Sequence, residues 1–165
     1  RRQPGACGSG QVAQFYDCMV GLAPCDAFVT GGAHEGCGTC LAPSDFSDPT
    51  HGPLLTLANS PGDSLAVEAN LAGCIEITSG DLPCAEAYQL RSACVRAACD
   101  ADCPNTDAAA LAARQACYRE ASGTVCAPYS SGAPCASASA AVTACSGSSF
   151  QAQFIAAGNA LCSSG

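Results

Sequence analysis

The chain has 165 residues, fifteen of them cysteines, and a net charge of −8. With only six arginines and no lysine, it lacks the basic stripe that binds nucleic acid and the positive charge that binds an anionic membrane surface. No apolar run approaches the ~20 residues of a membrane-spanning helix, so neither a nucleic-acid partner nor membrane insertion is expected.

The first predicted element is a helix in the sequence QVAQFYDCMV, residues 11–20. Its apolar side chains recur at i, i+3, i+4, i+7 and i+8, the spacing of one helix face. Farther along, LLTLAN at residues 54–59 is the one plausible strand, although a loop or a helical turn fits equally well. SPGD at residues 60–63 then has capping-box spacing with proline at the first helical position, which predicts a second helix over residues 65–75.

The remaining predicted elements are helices. Asp81, Pro83 and Glu86 open a third helix that runs to about Cys99. A fourth opens at Thr106 and Asp107 and ends near Gly123, and two more span residues 134–145 and 149–162. The sequence therefore predicts a mainly α fold, a disulfide-stapled array of about six short helices with a loop-rich N-terminal segment. Residues 1–59 would form that segment with its one helix, residues 60–165 the helical disulfide-rich region, and both together one continuous domain.

Large apolar side chains are scarce. Leu, Ile, Val and Phe number 26, about 16% of the chain, whereas cysteine reaches about 9%, which is typical of a disulfide scaffold. Disulfides persist in oxidising surroundings, so the protein is expected to be secreted, periplasmic or on a cell surface. The chain starts at Arg1 without Met and without a visible signal peptide, and we interpret it as the mature product of export and cleavage.

The cysteines form two blocks of five and ten. Because their total is odd, one cysteine has no partner within the chain. If the second block pairs within itself, the unpaired thiol lies in the first block, and Cys7 is the best placed to bond to another chain. The first block is Cys7, Cys18, Cys25, Cys37 and Cys40; the second is Cys74, Cys84, Cys94, Cys99, Cys103, Cys117, Cys126, Cys135, Cys145 and Cys162.

An internal repeat constrains how the second block pairs. PCAEAYQLRSAC at residues 83–94 and PCASASAAVTAC at residues 134–145 share the pattern P-C-A-x-A-x5-A-C. Two cysteines ten apart on one helix are ~15 Å apart along its axis, whereas a disulfide needs Cα atoms within about 7 Å. Each of these cysteines is therefore expected to bond to a neighbouring helix or loop.

One segment has the residue types of a zinc site. His34, Cys37, Cys40 and His51 have the spacing H-x2-C-x2-C-x10-H, and these are four suitable ligands for tetrahedral zinc. The alternative, which we favour, is that both cysteines form disulfides with other cysteines and both histidines are exposed loop residues. A thioredoxin-like redox pair is less well supported, because that motif lies at a helix N-terminus and glycines surround this pair.

A second candidate is a serine hydrolase site. Residues 62–65 read Gly-Asp-Ser-Leu, which resembles the motif of the GDSL esterases, and residues 48–51, Asp-Pro-Thr-His, resemble their Asp-x-x-His element. The resemblance implies that Ser64 attacks an ester while His51 takes its proton and Asp48 orients the histidine. The histidine element here precedes the serine, whereas in that family it follows. A helix start explains the Pro-Gly-Asp-Ser stretch equally well.

The third candidate is a calcium site in the sequence CDADCPNTD. Carboxylates at the end of a helix are unfavourable beside the negative end of its dipole, and a cation would relieve the conflict. The four oxygen ligands would be Asp100, Asp102, Asn105 and Asp107. The spacing is not that of an EF-hand, and Asp107 is also explained as a first-turn acid of the fourth helix.

The favoured expectation is a non-enzymatic protein with a structural or partner-binding role, which includes the role of a subunit in an extracellular assembly. Its partner would be another protein or further copies of itself, and no cofactor is expected. A small extracellular esterase using Ser64 and His51, and a zinc- or calcium-binding module, remain the alternatives.

Overall fold

The computed structural model describes residues 3–42, 44–45, 52–56, 67–100, 102, 108–129 and 135–163. This part of the chain is mainly helical, which confirms the predicted fold class. Its α-helices are α1 (Gln11–Met19), α2 (Glu35–Leu41), α3 (Leu71–Ser79), α4 (Leu82–Cys99), α5 (Ala108–Gly123), α6 (Ser139–Cys145) and α7 (Phe150–Cys162). Two 3-10 helices, Asp26–Phe28 and Ala127–Tyr129, and three short strands, β1 (Ser44–Asp45), β2 (Leu54–Thr56) and β3 (Val67–Ala69), complete the described elements.

Four predicted helices are confirmed, namely α1, α4, α5 and α7. The N-terminus of α4 is capped by Asp81, whose carboxylate accepts a hydrogen bond from the Cys84 amide at 3.0 Å. Ser149 caps α7 in the same way and accepts from the Ala152 amide at 3.2 Å. These short polar side chains satisfy backbone donors that the first helical turn leaves without partners, which fixes where each helix begins.

The second predicted helix was placed too early in the chain. Residues 67–69 form β3, and α3 begins at Leu71; residues 60–66 lie outside the described part of the chain. The cause is Asn70, whose side-chain oxygen accepts from the Gly73 amide at 2.8 Å while its nitrogen donates to the Gly52 carbonyl at 3.0 Å. This buried amide joins the start of α3 to the segment before β2, so it sets the boundary between strand and helix.

Helix α6 is shorter than predicted, and residue 134 lies outside the described residues. The helix begins at Ser139, and Cys135 to Ala138 form a turn in which the Ala138 amide donates to the Cys135 carbonyl at 3.1 Å. Cys135 is bonded to Cys84 on α4, with the two Cα atoms 4.7 Å apart. The turn thus carries Cys135 against α4 before the helix starts.

Helix α2 was not predicted, because it lies in the segment expected to be loop-rich and contains two glycines, which have low helix propensity. Gly38 has a packing reason, since a Cβ atom there would overlap the Phe28 carbonyl. The absent side chain lets α2 lie directly on the 3-10 helix Asp26–Phe28.

The three strands form one small sheet. β1 pairs in parallel with β2, and β2 pairs antiparallel with β3 so that Leu54 lies opposite Ala69 and Thr56 opposite Val67. The predicted strand at residues 54–59 is confirmed over its first three residues, and the other three lie outside the described part of the chain.

Buried side chains form three clusters. The first is aromatic, with fully buried Phe154 at ring-centroid distances of 6.2 Å from Phe15 and 6.1 Å from Tyr16. The other two contain mostly cysteine and alanine, with Ile75 in the second and Val95 in the third. Within the described residues, no helix has the length and apolar character needed to span a membrane.

Seven disulfides cross-link the described elements, with Cα separations of 4.6 to 6.0 Å. The prediction that Cys7 is unpaired is wrong, because Cys7 is bonded to Cys37. The two blocks also do not pair separately, since Cys40 of the first is bonded to Cys162 of the second. The other pairs are Cys18–Cys25, Cys74–Cys145, Cys84–Cys135, Cys94–Cys126 and Cys99–Cys117. Fourteen cysteines are thereby used, and Cys103, outside the described residues, has no cysteine left in the chain to pair with.

The repeated Pro-Cys-Ala units pair as their geometry requires. No cysteine of either unit bonds to the cysteine ten residues away. The first cysteines of the two units bond to each other as Cys84–Cys135, while Cys94 bonds to Cys126 and Cys145 to Cys74. Helix α4 is therefore fixed near its start, in its middle and, through Cys99–Cys117, at its end.

Candidate functional site

Cys37 and Cys40 form disulfides, as the favoured interpretation of this segment predicts, and they cannot be the zinc ligands of its alternative. Both cysteines lie on α2, and each is bonded to a different cysteine, so neither has a thiolate to offer a metal. For the same reason they are not a redox pair with each other. His51 lies outside the described residues. Across the residues that are described, no group of three or more His, Cys, Asp or Glu side chains is placed to hold a metal ion.

His34 has a structural environment at the start of α2. Its Nδ1 atom is 2.9 Å from the Gln11 side-chain nitrogen, so the amide donates when the ring carries its proton on Nε2. Its ring centroid is 5.5 Å from that of Phe28. These contacts join α1 and α2 at the edge of the aromatic cluster.

Asp100, the first residue of the proposed calcium site, is bound by two side chains of α5. Its Oδ1 atom accepts from the Tyr118 hydroxyl at 2.5 Å and from the Arg114 guanidinium at 2.9 Å. The Arg114 guanidinium also lies 5.3 Å from the Tyr118 ring centroid. The positive charge of Arg114 thus offsets the unfavourable position of the Asp100 carboxylate beside the negative end of the α4 dipole. Asp102 is exposed, and the other two proposed ligands, Asn105 and Asp107, lie outside the described residues.

This cluster changes the acidity of two of its members. Burial raises the pKa of Tyr118 to about 12, and the hydrogen bond to Asp100 adds to the effect because the carboxylate holds the phenolic proton. Burial alone would lower the pKa of Arg114, but its contacts with Tyr118 and Asp100 outweigh burial and raise it. The cluster therefore stays a neutral phenol and an ion pair, beside the Cys99–Cys117 disulfide.

The proposed esterase residues Asp48, His51 and Ser64 all lie outside the described part of the chain. Their arrangement stays a prediction from the sequence.

A cavity of about 190 Å³ lies between the small sheet and the helices α3, α4 and α7. Leu55, Val67 and Phe150 supply apolar wall, while Gln89 and Gln153 supply amides. Glu68, Tyr88 and Ser92 also line it. The walls come from two strands and three helices, which the tertiary fold brings together.

Glu68 is held in the cavity wall by α4. Its Oε1 atom pairs with the Arg96 guanidinium, and the Ser92 hydroxyl lies 3.4 Å from Oε2 and 3.5 Å from Oε1. The pair is largely shielded, with 13% of the Arg96 side chain and 27% of the Glu68 side chain exposed. An ion pair that is largely removed from water is screened less than one at the surface.

Sequence reasoning did not identify this cavity. The i, i+4 spacing of Tyr88, Ser92 and Arg96 shows that the three share one face of α4. Glu68 was predicted to lie on a helix, however, and nothing in the sequence pattern links it to Ser92 and Arg96, 24 and 28 positions later.

Comparison with protein-family models, with curated proteins and with solved structures found no match to this chain.

Proposed function

We propose that the protein acts outside the cytoplasm, secreted or on a cell surface, as a disulfide-stapled helical module with a structural or partner-binding role. The observation that carries the proposal is the set of seven disulfides. Each stabilises a fold by roughly 2 to 4 kcal/mol through its constraint on the unfolded chain, and such bonds persist in oxidising compartments. A chain that depends on them this heavily suits a long-lived extracellular role.

The placement of the cross-links suits a structural module. The N-terminal described residues are bound to the end of α7, where the Cys7 amide donates to the Cys162 carbonyl at 2.8 Å and the Gln3 amide to the Leu161 carbonyl at 3.2 Å. The Cys40–Cys162 disulfide joins α2 to the same place. Backbone held in this way opens rarely, and proteases need an opened chain.

The proposal includes covalent assembly through Cys103. Because the other fourteen cysteines are used within the chain, Cys103 is the one available to bond to a partner or to a second copy. A covalent contact at this position would make the protein a subunit of a larger extracellular assembly.

Electrophoresis of the exported protein without reductant tests the assembly, with Cys103→Ser as the control variant. We expect a band of dimer size or larger that reductant collapses and that the variant does not form. A monomer with one titratable thiol would refute covalent assembly while leaving the disulfide-stapled module intact.

Limited proteolysis with and without reductant tests the module itself. We expect the oxidised chain to resist digestion and the reduced chain to be cut throughout its helices. Equal resistance after complete reduction would show that the disulfides do not maintain the fold.

A further inference from the structure

Two of the helices that line the cavity beside Glu68, α3 and α4, are cross-linked to other parts of the chain. Helix α3 is bonded to α6 through Cys74–Cys145, and α4 is bonded through Cys84–Cys135 and Cys94–Cys126. Asn70, in the wall at the start of α3, is held by its bonds to Gly73 and Gly52. The α3 and α4 walls are therefore restrained without a ligand, which reduces the ordering that binding would require.

Its size suits one small ring compound. The volume of about 190 Å³ is several times the ~30 Å³ that a water molecule occupies in the liquid, yet below the ~300 Å³ at which sites for drug-sized ligands begin. Phe150 supplies an aromatic wall, with Leu55 and Val67 beside it. Apolar walls with a few polar groups are typical of ligand sites, in which the polar groups fix the orientation.

The polar side of the cavity has acceptor capacity left over. Arg96 pairs with Glu68 Oε1, but in the described part of the chain Oε2 receives only the Ser92 hydroxyl, at 3.4 Å and shared with Oε1. A carboxylate oxygen can accept two hydrogen bonds. Because Glu68 lines the cavity, a donor on a bound molecule would find a partner at its carboxylate.

We propose that this cavity binds a small single-ring organic molecule that carries a hydroxyl or amino group, with its ring against Phe150 and its donor on the Glu68 carboxylate. We expect no binding of a ring compound that carries a carboxylate, because this group would be repelled by Glu68 within a protein of net charge −8. This binding function goes beyond the structural role proposed above and does not depend on Cys103.

Three probes of nearly equal size test the proposal: benzylamine, benzyl alcohol and benzoate. Each is titrated against the oxidised protein while NMR chemical shifts are followed. We expect benzylamine and benzyl alcohol to shift the resonances of Tyr88 and Ser92 in a saturable way, and benzoate to leave them unchanged. Absence of saturable shifts with all three, or benzoate binding as tightly as benzylamine, would overturn the proposal.

Two variants locate the binding. Ala72→Leu adds bulk to the cavity wall on α3, whereas Ala116→Leu adds the same bulk on an exposed position of α5. We expect the first to weaken benzylamine binding about tenfold or more, by analogy with the discrimination that one or more methylenes give in an apolar pocket, and the second to leave it unchanged. Circular dichroism checks that both variants are folded. Equal affinity in the two variants would place the ligand elsewhere and refute the proposed site.

Discussion

The Cys40–Cys162 disulfide should contribute more to stability than any local cross-link, because it closes the longest loop in sequence among the seven, with a separation of 122 residues. The perturbation is the double substitution Cys40→Ala and Cys162→Ala, which leaves the other six disulfides in place. Its control is Cys18→Ala with Cys25→Ala, which removes a disulfide of separation 7.

The expected loss in free energy of unfolding depends on the length of chain that still connects Cys40 to Cys162 through the remaining disulfides. With Cys74–Cys145 intact, 34 residues lead from Cys40 to Cys74 and 17 from Cys145 to Cys162, which makes an effective loop of about 50 residues. Loop-closure entropy then gives about 4 kcal/mol for Cys40–Cys162 and about 2.5 kcal/mol for the control pair. Cys40 and Cys162 are both fully buried, so the cavity left by their sulfur atoms enlarges the difference.

Guanidinium unfolding followed by far-ultraviolet circular dichroism, without reductant, measures both free energies of unfolding. We expect the Cys40/Cys162 variant to lose at least about 1.5 kcal/mol more than the control. Equal losses, or a larger loss in the control, would refute the view that this long-range bond is the principal constraint on the unfolded chain.

Three further outcomes are expected. Gly38→Ala should lower the free energy of unfolding by about 1 to 3 kcal/mol, because its Cβ would overlap the Phe28 carbonyl. Gly36→Ala, with open space around it, should stabilise α2, and equal melting temperatures of the two variants would contradict this. Asn70→Ala should cost about 1 to 3 kcal/mol in urea unfolding, since a helix cap and a buried hydrogen bond are lost together, and an unchanged midpoint would contradict it. The pKa of Tyr118 is raised to about 12, so the stability that the neutral phenol contributes is complete below pH 10 and is lost as the pH rises toward 12. The absorbance at 295 nm of the protein minus that of Tyr118→Phe follows the ionisation of this one tyrosine. We expect a titration midpoint near pH 12, and a midpoint near pH 10 would refute the burial argument.

Helices with an explicit start signal or a regular apolar stripe were predictable from the sequence. Helix α1 has the stripe, and α4 and α7 have the capping residues Asp81 and Ser149. Helix α2 has neither, because its glycines serve close packing rather than helix propensity. The strand β3 has three residues and no room for an alternating pattern, so Asn70 looked like the inside of a helix rather than its cap.

The candidate sites were less predictable, since they depend on pairing between distant residues. Spacing showed that Cys84 and Cys94 could not bond to each other, but it could not select Cys135 and Cys126 as their partners. The zinc hypothesis failed for the same reason, because Cys37 and Cys40 are neighbours on α2 whose partners lie far away in the sequence. The cavity beside Glu68 forms only where two strands and three helices meet, and no local sequence pattern predicts that contact.

The distribution of large side chains shows why oxidation and fold are linked in this protein. Four phenylalanine rings and Tyr16 gather in the first cluster, around Phe154. The buried part of the second and third clusters has Ile75 and Val95 as its large aliphatic residues, and one partly buried tyrosine packs against each, Tyr88 and Tyr118. Alanine and cysteine bury too little apolar surface to offset the entropy of ordering α3 to α6. The disulfides reduce that entropy in the unfolded chain instead, so we expect this half of the molecule to require oxidising surroundings in order to fold. That requirement is the physical basis for proposing an extracellular role.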